Sequence, residues 1–187
     1  MRITAIRVTP IAFRDPPLLN VAGVHEPWAL RSIIEVETAN GLVGLGESYG
    51  DRATLADLDA IAPTLLGLDP YDLNALTRAV YARFGAGDDV AAPFASAGDK
   101  PRASALGAFE VAFLDLQAQR AGAPLCDLLG GAVRDRVPYS AYLFYKFARH
   151  HDLSHPADAW GEVVTHAQMV GEARHMIDRH GFGSIKL

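Results

Sequence analysis

Val137–Tyr145 reads VPYSAYLFY, a short run of apolar and aromatic residues with the composition of a strand. A polar, His-rich connector follows from Arg149 to about Trp160, and then a predicted helix from about Glu162 to Arg179 that stops at His180-Gly181. Gly181–Leu187 reads GFGSIKL, and its last four residues, Ser184–Leu187, begin another strand. Strand, helix, strand is a βαβ unit, whose crossover joins parallel strands. Two parallel strands cannot cover both of their own faces. The chain is therefore expected to stop inside a second domain.

Working back from that unit, the first third of the chain has the pattern of antiparallel sheet. Ile3, Ile6, Val8 and Ile11 open it, with Pro10 tolerable only at an edge or a bulge. Ser32–Glu37 and Leu42–Gly46 flank Ala39-Asn40-Gly41, and Asn-Gly between two apolar runs is a strong hairpin signal. The stretch from Asp15 to Leu30, rich in Pro and Gly, reads as irregular loop. The middle third is helical. Leu55, Leu58, Ile61, Leu65 and Leu66 recur at helical spacing, and Pro63 should divide that stretch. Asp69-Pro70 predicts the start of a second helix, with Asp69 as N-cap. Gly85 to Pro101 reads as a long loop. A third helix is predicted from about Ser104 to Arg120, closed by Gly122. The character of the chain changes after Gly130-Gly131.

The totals limit what this chain does. Its 187 residues are 50% hydrophobic, enough for a real core, and a net charge of -5 supplies no basic footprint for nucleic acid or an anionic membrane. No apolar run approaches the roughly 20 residues that span a bilayer. The N-terminus lacks an apolar signal core, and the single Cys126 rules out an internal disulfide framework. The location expected from these features is cytoplasmic.

Four segments together resemble the mandelate racemase branch of the enolase superfamily, most closely its glucarate dehydratase-like members. They are LLNVAGVHEPWALRSIIEVETANGLVGLGESYG (Leu18–Gly50), ALGAFEVAFLDLQAQRAGAPLCDLLGG (Ala105–Gly131), AYLFY (Ala141–Tyr145) and GFGSIKL (Gly181–Leu187). The resemblance implies an α+β capping domain over residues 1–131. Residues 132–187 would then be the first strands of a modified TIM-type barrel that is incomplete in this chain. It also implies an acid-sugar dehydratase of the glucarate or galactarate type, dependent on Mg2+, whose metal ligands lie on later barrel strands. Another dehydratase, or a racemase or epimerase on hydroxy acids, is the neighbouring reading. A non-catalytic stand-alone cap is the reading from another class. Homo-oligomerisation is a further expectation from the family.

The resemblance also nominates residues. Lys186 matches the first of two family lysines that handle the proton α to a carboxylate. Such a proton is weakly acidic, so the base must be tuned near working pH and the enediolate stabilised. Asn20 and His25 match an N-x-x-G-x-H segment (Asn20, Gly23 and His25) whose Asn and His contact substrate. Ser96 falls, counting back from Glu110, where the family has a substrate-contacting hydroxyl. Tyr142 matches a strand Tyr that hydrogen-bonds substrate, and Tyr145 and Lys146 follow at the strand end, where Lys146 would add positive charge. No metal ligand is expected here. His150, His151 and His155 read as a solvated linker without helix or Cys partner. Gly44-x-Gly46 lacks the spacing of a dinucleotide fingerprint and reads as the end of a hairpin strand. Glu110 and Asp115 fall on different faces of their helix and are structural in the family.

Overall fold

The computed structural model describes residues 1–85, 100–159 and 161–187. It divides into two compact units: residues 1–12 with 30–132, and residues 13–29 with 133–187.

The first unit is a sheet with helices packed on it. Strands β1 (Ile3–Arg14), β4 (Trp28–Thr38) and β5 (Val43–Tyr49) lie in the order β1-β4-β5. The two-residue strands β2 (Leu19–Asn20) and β3 (Gly23–Val24) intervene in sequence. β4 and β5 form the antiparallel hairpin expected from Asn40-Gly41, with Glu37 opposite Val43 and Arg31 opposite Tyr49. Its turn closes through Gly41 N–H donating to the Thr38 carbonyl at 2.8 Å, with Gly41 at φ +81°, a conformation that favours glycine. β4 shows period-two burial, with Ser32, Ile34, Val36 and Thr38 inward.

Three helices cover this sheet's core. α1 (Arg52–Ile61) passes into a 3-10 turn (Ala62–Leu65), and Pro63 sits in that turn's first residues, the division expected from the sequence. α2 (Leu73–Phe84) differs from expectation. Its N-cap is Asp72, not Asp69, because the Asp69 carboxylate accepts from Tyr71 N–H and the Asp69 carbonyl from Asp72 N–H. Those bonds make a turn that competes with helix. α3 (Lys100–Ala121) begins four residues before Ser104 and ends at Gly122, φ +64°. A short α4 (Leu125–Leu128) follows. Ile34, Val36, Leu58, Leu65, Leu76, Val80, Phe109, Phe113 and Leu116 are wholly buried together.

α3 seats unusually close to β5. A Cβ built on Gly44 would stand 2.1 Å from the Ala112 carbonyl oxygen, and one on Gly46 2.1 Å from that of Ala108. These glycines lie inside the strand, which runs on to Tyr49 instead of ending at Gly46. They serve close packing, as the small helix residues Ala105, Ala108 and Ala112 do from the other side. Asp115 Oδ2 accepts from Leu45 N–H at 2.9 Å, and Gln119 Nε2 donates to the Val43 carbonyl at 2.7 Å. Helix side chains thus satisfy backbone groups on the outer edge of β5, a structural role for Asp115.

Asp51 caps α1, accepting from Ala53 N–H, Thr54 N–H and the Thr54 hydroxyl at 3.0, 3.0 and 2.6 Å. The Thr54 hydroxyl, then its N–H, hold the Asp51 carboxyl below its ordinary value of 3.8. Asp51→Ala is expected to cost about 1 kcal/mol at pH 7. A carboxyl lowered on folding stabilises above its unfolded value and loses that contribution as pH falls through its folded one. The difference between wild type and variant in urea unfolding should therefore shrink below pH 3.8.

The second unit holds the βαβ element. β6 (Ala141–Tyr142) and β7 (Ile185–Lys186) pair in parallel, with Ala141 opposite Ile185 and Tyr142 opposite Lys186. Ala141 N–H donates to the Ser184 carbonyl and Leu143 N–H to that of Lys186. β6 is shorter than the expected Val137–Tyr145, because the ladder extends only as far as its short partner. α5 (His166–His180) carries a capping box from Thr165 and Gln168, and Gly181 closes it at φ +69°. It starts later than Glu162, since Val163 is drawn into a bridge with Lys146. Ala141, Leu143, Val163, Met169 and Met176 form this unit's buried cluster. The stretch expected as plain loop, Asp15 to Leu30, contains the antiparallel β2–β3 pair.

Candidate active site

Alternation along β6 and the residues after it sorts the side chains. Ala141 and Leu143 enter the core, while Tyr142 is half exposed and Phe144 partly so. Tyr142 and Phe144 meet with ring centroids 4.2 Å apart. Opposite Tyr142 in the parallel register stands Lys186, whose Nζ lies 4.3 Å from the Tyr142 ring centroid. Such a cation over an exposed aromatic face is worth about 0.5–1 kcal/mol. On the far side of Phe144 is His25, ring to ring 6.2 Å. Three of the nominated residues, Lys186, Tyr142 and His25, thus share one array, joined by Phe144.

The segment carrying His25 is tied to the strand by its backbone. Leu19 N–H donates to the Tyr145 carbonyl at 2.7 Å, Phe147 N–H to the Pro17 carbonyl at 3.2 Å, and His25 N–H to the Leu18 carbonyl at 2.9 Å. Asn20 sits on β2 beside this array, and its Oδ1 accepts from Ala22 N–H at 2.8 Å. That bond closes the β2–β3 turn. Ser96 lies outside the described residues.

Two sequence expectations need correction. Lys146 does not add charge at the strand end. It is 2% exposed, and its Nζ lies 3.5 Å from both Asp158 Oδ2 and Glu172 Oε1. Those carboxylates come from the connector and from α5, too far along the chain for spacing to reveal. His150 and His155 are not solvated linker either. His150 is buried, its Nε2 is 2.7 Å from the Asp15 carbonyl, and its ring packs edge-on to His155 at 6.0 Å. His155 in turn packs edge-on to Trp28. Only His151 of the three is exposed.

Sequence reading also missed two residues of the array. Phe144 was legible as the period-two neighbour of Tyr142. Asp15 carries no such signal, yet its Oδ2 stands 3.0 Å from His25 Nδ1. Among the described residues no group of three or more His, Cys, Asp or Glu side chains is placed to hold a metal ion. No helix among them is long and apolar enough to cross a membrane.

A sheet capped by three helices, followed by a parallel βαβ unit with a lysine on its second strand, is the architecture of an enolase-superfamily N-terminal portion. Residues 2–130 match the family of mandelate racemase / muconate lactonizing enzyme, N-terminal domain, and the chain belongs to it. A probable glucarate dehydratase of Streptomyces coelicolor is 45% identical over 202 residues, covering 100% of this chain and 45% of that protein. A D-gluconate dehydratase of Thermoproteus tenax is 36% identical over 135 residues, covering 70% of this chain and 25% of its own length. Among solved structures, an enolase from Pseudomonas fluorescens with bound magnesium, potassium and tartrate is 52% identical. It superposes with a TM-score of 0.88 over 98% of this chain and 44% of its own. The chain therefore spans less than half the length of these relatives, and the described residues form no closed barrel.

Proposed function

We propose that this chain is part of an acid-sugar dehydratase of the glucarate or galactarate type. Residues 1–131 would be its capping domain and 132–187 the start of its TIM-type barrel. The observation that carries this reading is the Lys186 ammonium set over Tyr142, in an array that continues through Phe144 to His25. Tartrate, held by the Pseudomonas relative, is a hydroxy diacid of the same chemical class as the proposed substrate.

In this reading Lys186 handles the proton on the carbon α to a substrate carboxylate. Loss of that proton, departure of the β-hydroxyl as water and tautomerisation of the resulting enol give a keto-deoxy acid. Tyr142 offers a phenol, His25 an imidazole nitrogen and Asn20 an amide to the substrate's oxygens. A polyhydroxy acid needs several such directional partners, because its polar groups lose water on binding. Ser96 is a further candidate contact. Magnesium, when bound, would stabilise the charge that builds on the carboxylate, held by residues outside those described. A cytoplasmic location fits the lone, exposed Cys126, and a homo-oligomer is the proposed assembly.

The full-length protein, incubated with Mg2+ and a panel of mono- and diacid sugars, should release a keto-deoxy product from a diacid. Exchange of the α-proton into solvent without loss of water would identify a racemase or epimerase instead. Failure to turn over any diacid sugar would overturn the glucarate-type assignment.

A further inference from the structure

We infer that Asp15 is a positioning residue of this site: it fixes the tautomer and ring angle of His25, and His150 in turn fixes Asp15. The inference rests on the function proposed above and adds a residue that neither motif nor spacing nominates.

The geometry begins at His25. Its Nδ1 is 3.0 Å from Asp15 Oδ2. An ionised carboxylate only accepts, so Nδ1 carries the proton and donates it. The other ring nitrogen, Nε2, is then the one presented to a ligand. An imidazole without such a partner is free to choose its tautomer and to rotate, and a neighbouring carboxylate removes both freedoms. Both partners are only about a quarter exposed, so water competes weakly for the bond.

Asp15 is itself held at both backbone groups. Its N–H donates to the Pro27 carbonyl at 3.1 Å, two residues beyond His25, which closes the β2–β3 segment into a loop. Its carbonyl, an acceptor only, receives the Nε2 proton of the buried His150 at 2.7 Å. His150 is braced by His155, which packs against Trp28. The carboxylate is thus aimed at His25 by a backbone that cannot drift, and a 1 Å drift at a reacting site is costly. His150 therefore has a role as an anchor of the site loop, not as a metal ligand.

A double-mutant cycle on the full-length protein tests this. The four proteins are wild type, Asp15→Ala, His25→Ala and the double variant, each measured for kcat/KM on the best acid sugar and for tartrate affinity by calorimetry. If Asp15 acts through His25, Asp15→Ala lowers kcat/KM about tenfold. The double variant is then no worse than His25→Ala within about twofold, because the two effects are not additive. Asp15→Asn offers Nδ1 an amide N–H as readily as an oxygen, so it no longer selects the tautomer and should lose about as much as Asp15→Ala. Additive losses in the cycle, or Asp15→Asn within about threefold of wild type, would overturn the assignment. Tartrate affinity separates the two readings. Wild type that binds tartrate but dehydrates no acid sugar refutes the proposed function, while the cycle in tartrate affinity still decides the role of Asp15.

Discussion

Lys186→Ala in the full-length protein is expected to lower kcat on its acid sugar by about three orders of magnitude, within the range for loss of a positioned general base. The same substitution should barely change stability. Lys186 is exposed on β7, and its visible partner is the Tyr142 ring at 4.3 Å. Losing that contact costs less than about 1 kcal/mol. The pairing of a large kinetic loss with an unchanged unfolding midpoint separates chemistry from folding. Because Tyr142 opposes Lys186 in the ladder, Tyr142→Phe retains the aromatic face and tests the phenol alone. A Lys186→Ala protein that retained kcat within tenfold of wild type would remove this amine from the mechanism.

The second large effect concerns the sheet. Gly46→Ala should destabilise the first unit by about 3 kcal/mol, at the upper end for overpacking. The added methyl would meet the Ala108 carbonyl oxygen at 2.1 Å and the Ala112 methyl at 3.5 Å. The first obstacle is backbone, which cannot swing aside as a flexible side chain does. Relief requires α3 to lift from β5 and loosen Phe109, Phe113 and Leu116, all wholly buried. Gly107→Ala on the same helix is the control of opposite sign. Among the described residues nothing outside the helix's own backbone stands within 4 Å of a Cβ there, so removing a helical glycine should stabilise by up to about 1 kcal/mol. Urea unfolding of both variants beside wild type gives the two shifts, and equal midpoints would refute the packing account.

What could be read from sequence was what short-range chemistry dictates. Asn40-Gly41 set the hairpin, Pro63 divided a helix, and Gly122 and Gly181 ended two others. The βαβ unit was legible from its change of period. The small β2–β3 pair was not, because two-residue strands carry no alternation to detect. Asp69-Pro70 misled because a side-chain-closed turn and a helix N-cap use the same residues. Tyr142 and Lys186 were nominated by the resemblance of AYLFY and GFGSIKL, and the parallel register sets the two opposite each other. Asp15, and the carboxylates around Lys146, meet their partners only through tertiary folding. No period or spacing announces such pairs, and charge at a strand end looks the same in a string whether it is neutralised or not.

The bond from His150 to Asp15 joins groups 135 residues apart. At synthesis rates of about 5–20 residues per second, roughly 7 to 27 s pass between the making of one partner and the other. Over that interval β4, β5, α1, α2 and α3 have all been made, and the first unit's core can close around β1 while residues 13–29 wait. The segment that carries His25 therefore gains its His150 anchor only after those elements have been made.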